Sequence, residues 1–168
     1  MKDETSTDHI GLAVAFSQHV MRLQSLLDRG VVPVLEAQGL TRAELDVLGA
    51  LRATDAKVGL RPKEIAARLL LTTGGLSNIL RRLEASGLVE RVSNPTDRRS
   101  YHVHLTAQGV VTANSATALA AEALRRTLAD VEPAALARGL GVLQSIVELV
   151  DEAPPLTPIF RRSLTPET

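Results

Sequence analysis

The sequence predicts a mostly α-helical protein in which a winged helix-turn-helix lobe is held by a helical dimerisation lobe built from the N- and C-terminal helices. Three observations predict it. Aliphatic residues recur at helical spacing through most of the chain, while aromatics are nearly absent, with one Tyr, two Phe and no Trp, so the core must be closely packed Leu, Val, Ile and Ala. Helix start and stop signals divide the chain into a long first helix, three short helices before Gly87 and two longer ones after Thr106. Between those two points the period switches from 3.6 to 2, which is the mark of a hairpin.

The elements follow in order. Residues 1–7 are polar and read as unstructured. Asp8 is a candidate N-cap for a first helix running to about Asp28, with Ile10, Val14, Val20, Leu23 and Leu27 at helical spacing. Gly30 and Pro33 are expected to bend or interrupt it, and Gly39 to end it. Thr41 with Glu44 forms a capping box for a second helix that turns Leu45, Leu48 and Leu51 inward. Pro62 suits the first position of a third helix reaching about Leu70. Thr72 or Thr73 caps a fourth, with Leu76, Leu80 and Leu83 on one stripe and Gly87 as its stop.

Leu88–Ser93 and Ser100–Leu105 read as two strands. The second turns Tyr101, Val103 and Leu105 inward and His102 and His104 outward, and Asn94-Pro95-Thr96-Asp97 supplies the turn. Thr106 opens an Ala-rich helix to about Ala129. Glu132-Pro133 opens a last helix whose Leu136, Leu140, Leu143, Val147 and Val150 are joined by Val142, Ile146 and Leu149, a stripe so wide that it needs a second surface to cover it. The expected organisation is therefore 1–40 as an N-terminal dimerisation helix, 41–105 as the winged lobe, 106–153 as C-terminal dimerisation helices, and 154–168 as an extended tail.

Composition excludes several classes. The chain of 168 residues has no cysteine, which removes disulfides, thiolate zinc sites and thiol redox sensing. The first residues lack an apolar run after their charges, and the longest apolar runs are only a few residues, so neither a signal peptide nor a membrane span is expected and a cytoplasmic location is. Net charge is zero, from 19 basic and 19 acidic residues, yet Arg61–His104 holds eight basic residues against four acids. That basic middle in an acidic frame is a candidate polyanion contact.

The functional constellation lies in this basic stretch. Ile65, Ala66 and Leu69 face Leu76, Ile79 and Leu80 across the turn at Leu71, with Ala66 small enough for two helices to cross. The opposite face of the fourth helix offers Thr72, Thr73, Gly75, Ser77, Asn78, Arg81 and Arg82. Small and amide-bearing residues at a helix N-terminus, followed by arginines, suit insertion into a DNA major groove. A hairpin tip bearing Arg98 and Arg99 can enter the adjacent minor groove, where negative potential is enhanced. Double-stranded DNA is the expected partner, and a winged scaffold for a protein partner or RNA is the alternative. No nucleophile elbow, triad or phosphate loop points to an enzyme, no cofactor is implied, and His102 and His104 on one strand are better explained by alternation than by a metal.

Glu64-Ile65-Ala66-Ala67-Arg68-Leu69, Leu71-Thr72-Thr73-Gly74-Gly75-Leu76-Ser77-Asn78, Arg82-Leu83-Glu84, Gly87-Leu88-Val89-Glu90-Arg91, Asp97-Arg98-Arg99 and Leu105-Thr106-Ala107-Gln108-Gly109, in this order and spacing, resemble the MarR (multiple antibiotic resistance regulator) family. The resemblance runs from about Leu40 to Gly109. It implies a winged helix-turn-helix homodimer that represses or activates transcription at palindromic DNA, often relieved by a small anionic or phenolic effector. It also assigns Asp97 to orienting the wing arginine, and places His19 and Arg22 near the region where family members bind effectors. Ile79 and Arg81 depart from the Gly-Gly subgroup, which usually has a base and often an acid at these positions, so the operator is expected to differ.

Overall fold

The computed structural model describes residues 3–94 and 97–150. Six helices and one hairpin follow in the order α1 (Asp3–Glu36), α2 (Arg42–Arg52), α3 (Pro62–Arg68), α4 (Thr73–Ala85), β1 (Val89–Asn94), β2 (Asp97–Leu105), α5 (Ala107–Thr127) and α6 (Pro133–Val150). The expected mostly helical winged architecture is what forms.

The first helix differs from expectation at both ends. It begins at Asp3 rather than after Asp8, and runs unbroken for 34 residues through Gly30 and Pro33. Pro33 lies in the last turn, where losing one donor removes a single hydrogen bond to an exposed segment. Gly30 is a crossing point, since a side chain there would collide with Thr127 Oγ1 of α5. The helix does end at Gly39, whose φ of +70° completes a Schellman turn in which Leu40 N–H donates to Leu35 O at 3.0 Å.

The capping signals hold. Thr41 and Glu44 bond reciprocally at the start of α2, Pro62 opens α3, and the Thr72 hydroxyl accepts from Gly75 N–H to open α4. Gly87, at φ +67°, closes α4 as Leu88 N–H reaches back to Leu83 O at 2.9 Å. The hairpin is longer than expected, pairing Val89 with Leu105 through to Asn94 with Asp97. A third partner went unforeseen: Leu60 bridges Val103 antiparallel, with N···O distances of 3.1 and 2.8 Å. The loop before α3 thereby becomes a short extra rung of the sheet.

The core is aliphatic. Leu35, Leu48, Ile65, Leu76, Leu80, Leu83, Val47 and Val103 are fully buried. On α5 the buried residues are Gly109, Ala113, Ala116, Ala120 and Ala123, a seam of small side chains that lets α1 and α2 approach closely. Gly109 itself is pressed onto the backbone of Leu88, where a Cβ would overlap the carbonyl.

No α6 residue is buried, and α1 leaves Ile10, Leu12, Val14, Phe16 and Met21 exposed. At 18 residues and a mean hydropathy of 1.3, α6 also satisfies the length and composition of a membrane span, contrary to the reading from its short apolar runs. Arg138, Gln144, Ser145 and Glu148 interrupt it, which is why no long run is visible in the sequence.

Two substitutions should move stability in opposite directions. Gly109→Ala overpacks a rigid backbone contact and should cost about 1–3 kcal/mol. Leu70, exposed and held at φ +52°, carries left-handed strain of roughly 1–2 kcal/mol. Leu70→Gly releases that strain, less the ~0.5–1 kcal/mol entropic cost of glycine, and should stabilise by up to about 1 kcal/mol. Urea unfolding with a common slope checks both signs.

Candidate nucleic-acid interface

The sequence of α4 divides it lengthwise. Leu76, Leu80 and Leu83 are at most 2% exposed and lock one face to the core, while Ile79 is partly buried against the same cluster. The other face presents Thr73, Gly74, Ser77, Asn78 and Arg81 to solvent. A Cβ at Gly75 would lie 3.1 Å from Thr72 Oγ1, the oxygen committed to the helix cap, so a larger residue there would push on the cap. Thr72 therefore shapes the start of the face.

The two arginines at the end of this face go separate ways. Arg81 Nη2 donates to Asn78 Oδ1 at 3.0 Å, so these two exposed side chains are joined on the surface. Arg82 turns to the flank, with Nε 2.9 Å from Glu44 Oε1 of α2. Glu44 was legible only as a helix cap, yet it is the buried charged residue of the core cluster's edge, at 3% exposure.

A second charged contact braces the wing. Arg91 of β1 pairs with Glu84 of α4 at 3.0 Å and stacks its guanidinium 5.0 Å from the Tyr101 ring centroid of β2. One side chain thus ties the recognition helix to both strands. Nothing in the spacing of Glu84 and Arg91 announced this, because the Gly87 turn sets their approach. Asp97, Arg98 and Arg99 belong by backbone to β2, at the far end of the hairpin from Leu105, and their side chains lie outside the described residues, as does the tail 154–168.

The remaining candidates are dispersed. His104 is half-buried rather than outward: its Nδ1 lies 3.0 Å from Ala56 O, and its ring covers Gly59, where a side chain would strike it. His102 meets it edge-on with centroids 6.5 Å apart, and no group of three potential metal ligands occurs among the described residues. His19 Nδ1 lies 2.7 Å from Ala15 O of its own helix, and Arg22 is exposed beside it on α1. A cavity of about 540 Å³ lies between α3, α4 and Tyr101, with Arg61 and Lys63 at its edge.

Where α1 meets α2, Arg42 pairs with Asp28 at 3.0 Å and with Asp46 at 3.3 Å. Burial raises the Asp46 carboxyl above its ordinary range, partly opposed by Arg42. Its contribution to stability is therefore fully present below the ordinary aspartate range and lost as pH rises through the raised value.

A helix-turn-helix with an exposed polar recognition face and a braced two-stranded wing defines a DNA-binding winged-helix protein. A profile of the MarR family matches residues 38–100. The HTH-type transcriptional regulator PecS of Dickeya dadantii is 32% identical over 93 residues, 55% of this chain and 56% of PecS. The multiple antibiotic resistance protein MarR of Escherichia coli is 31% identical over 101 residues, 60% of this chain and 68% of MarR. The fold is also that of a cysteine-to-serine mutant of E. coli MarR crystallised with operator DNA, with a TM-score of 0.72 and 23% identity over 80% of this chain and 95% of that one. The chain belongs to the MarR family of transcriptional regulators. The matched region spans little more than half of PecS.

The Asn78–Arg81 bond makes a quantitative demand. On a preferred duplex, the losses caused by Asn78→Ala and Arg81→Ala should fail to add, with a coupling of about 0.5–3 kcal/mol. A double-mutant cycle from binding titrations measures it, and strictly additive losses would mean that the two side chains act separately.

Proposed function

We propose that this regulator represses transcription by binding a palindromic operator as a homodimer. The exposed Thr73–Arg81 face of α4 enters the major groove, and the wing residues Asp97, Arg98 and Arg99 reach the adjacent minor groove. The observation that carries this reading is the division of α4: a buried leucine stripe fixes the helix while its polar face stands clear of the fold. Thr73, Ser77, Asn78 and Arg81 read base edges. Arg99, oriented by Asp97, supplies a contact that is largely blind to sequence.

The dimer is the second half of the proposal. The uncovered apolar surfaces of α1 and α6 belong to one dimerisation lobe, 1–40 with 106–153, and the lobe 41–105 binds DNA. An apolar α6 is then the half of an interface and not a membrane span. Two recognition helices would address half-sites about one helical turn apart, roughly 10 bp. Release follows if a small aromatic or anionic effector binds one spacing of the lobes better than another. His19 and Arg22 on α1 are candidates for holding it between the DNA lobe and the dimerisation helices.

Two measurements test these points. Arg99→Ala should weaken operator and scrambled duplex alike, by roughly 1–3 kcal/mol, and lower the salt slope by about one unit. Asn78→Ala should lose a similar amount on the operator and much less on scrambled duplex, and wild-type affinity for both in both variants would transfer this face to a protein or RNA partner. In sedimentation, the native protein should be dimeric at micromolar concentration, and Leu143→Asp with Ile146→Asp should give monomer or insoluble protein. A soluble, folded native monomer would remove the dimer.

A further inference from the structure

The carboxylate of Glu44 is bound more completely than a helix cap requires. Its Oε2 accepts from Thr41 N–H at 2.7 Å and from Thr41 Oγ1–H at 2.9 Å, which completes the capping box. Its Oε1 faces the other way, 2.9 Å from Arg82 Nε. A glutamine would serve the cap equally well. A negative charge at 3% exposure is costly without a counter-charge, so the charge is tied to Arg82. The Arg82 side chain is itself 62% exposed: its Nε lies against Glu44 and most of the rest faces solvent. Guanidinium is planar, so anchoring one edge fixes the direction of the others.

Resting on the DNA-binding reading above, we infer that Glu44 is a positioning residue that holds Arg82 as a clamp for a DNA backbone phosphate. The adjacent arginines are sorted by their partners. Asn78 keeps Arg81 on the groove face, and Glu44 draws Arg82 off that face, toward the start of α2. An arginine so placed meets the edge of a groove, where phosphates lie. It adds affinity for any duplex and no discrimination between sequences.

The Glu44→Gln variant separates positioning from simple electrostatics because the two predict opposite signs. It keeps the cap and adds one positive charge near DNA, so electrostatics alone predicts tighter binding and a steeper salt dependence. Positioning predicts the reverse. Affinity for scrambled duplex should fall roughly tenfold and the salt slope by about one unit, as for Arg82→Ala, while the operator-to-scrambled ratio stays unchanged. Glu44→Gln combined with Arg82→Ala should bind no worse than Arg82→Ala alone. Arg82→Lys, which leaves Glu44 intact, keeps the charge but loses the planar edge, and should bind more weakly than wild type even if Glu44→Gln folds poorly. Unchanged or tighter binding by Glu44→Gln, or full binding by Arg82→Lys, overturns the inference and leaves the function standing if wild type still prefers its operator. Wild-type protein with no affinity for DNA removes both.

Discussion

The close approach of helices along the alanine seam of α5 is the constraint on which the rest of the molecule depends. Ala113, Ala116, Ala120 and Ala123 recur at three- and four-residue intervals and are all buried. Their small volume lets α5 pack against α1, α2 and β2 together. Gly30 and Gly109 extend the same principle, one where α1 passes Thr127 and the other where α5 starts against Leu88. With hardly any aromatic side chain to fill space, closeness of backbones is how this core reaches the density of a protein interior. The helix-turn-helix is hung on that frame through α2, so any loosening of the seam would be felt at α4.

Charge refines what packing sets out. Surface ion pairs add little to stability, and those here are better understood by what they align. Asp28, Arg42 and Asp46 join α1 to the first turns of α2. Two residues away, Glu44 joins α2 to α4. Glu84, Arg91 and Tyr101 then carry the connection from α4 into the wing. Together these contacts link α1 to α2, α2 to α4, and α4 to the wing.

Most of the fold was legible because its punctuation is local. Capping residues, a proline at the first turn of α3, glycines at left-handed stops and the change of period after Gly87 each act within a few residues, so each could be read without knowing the tertiary structure. What was misread depended on contacts distant in sequence. Gly30 and Pro33 look like helix breakers until α5 is seen to need the glycine and the last turn to tolerate the proline. His104 looked outward by alternation, but Ala56 and Gly59 cover it. Leu60 gave no strand signal because it forms a single rung. In the recognition face, the residue types and their exposure were readable. Their partners were not, and Arg82 looked like Arg81 until Glu44 set them apart.

The bond between Asn78 and Arg81 bears on how such a protein would find its target. In free solution the two side chains share one hydrogen bond, and their remaining polar groups stay open to water. Engaging a base means exchanging that internal bond for an external one of equal quality, and a wrong base pair offers no such exchange. On the proposed DNA-binding reading, only a base pair that presents matching atoms replaces that bond without loss. A polypeptide with no net charge still carries its positive excess in one stretch, Arg61–His104, so on this reading its hold on any duplex is local to that face.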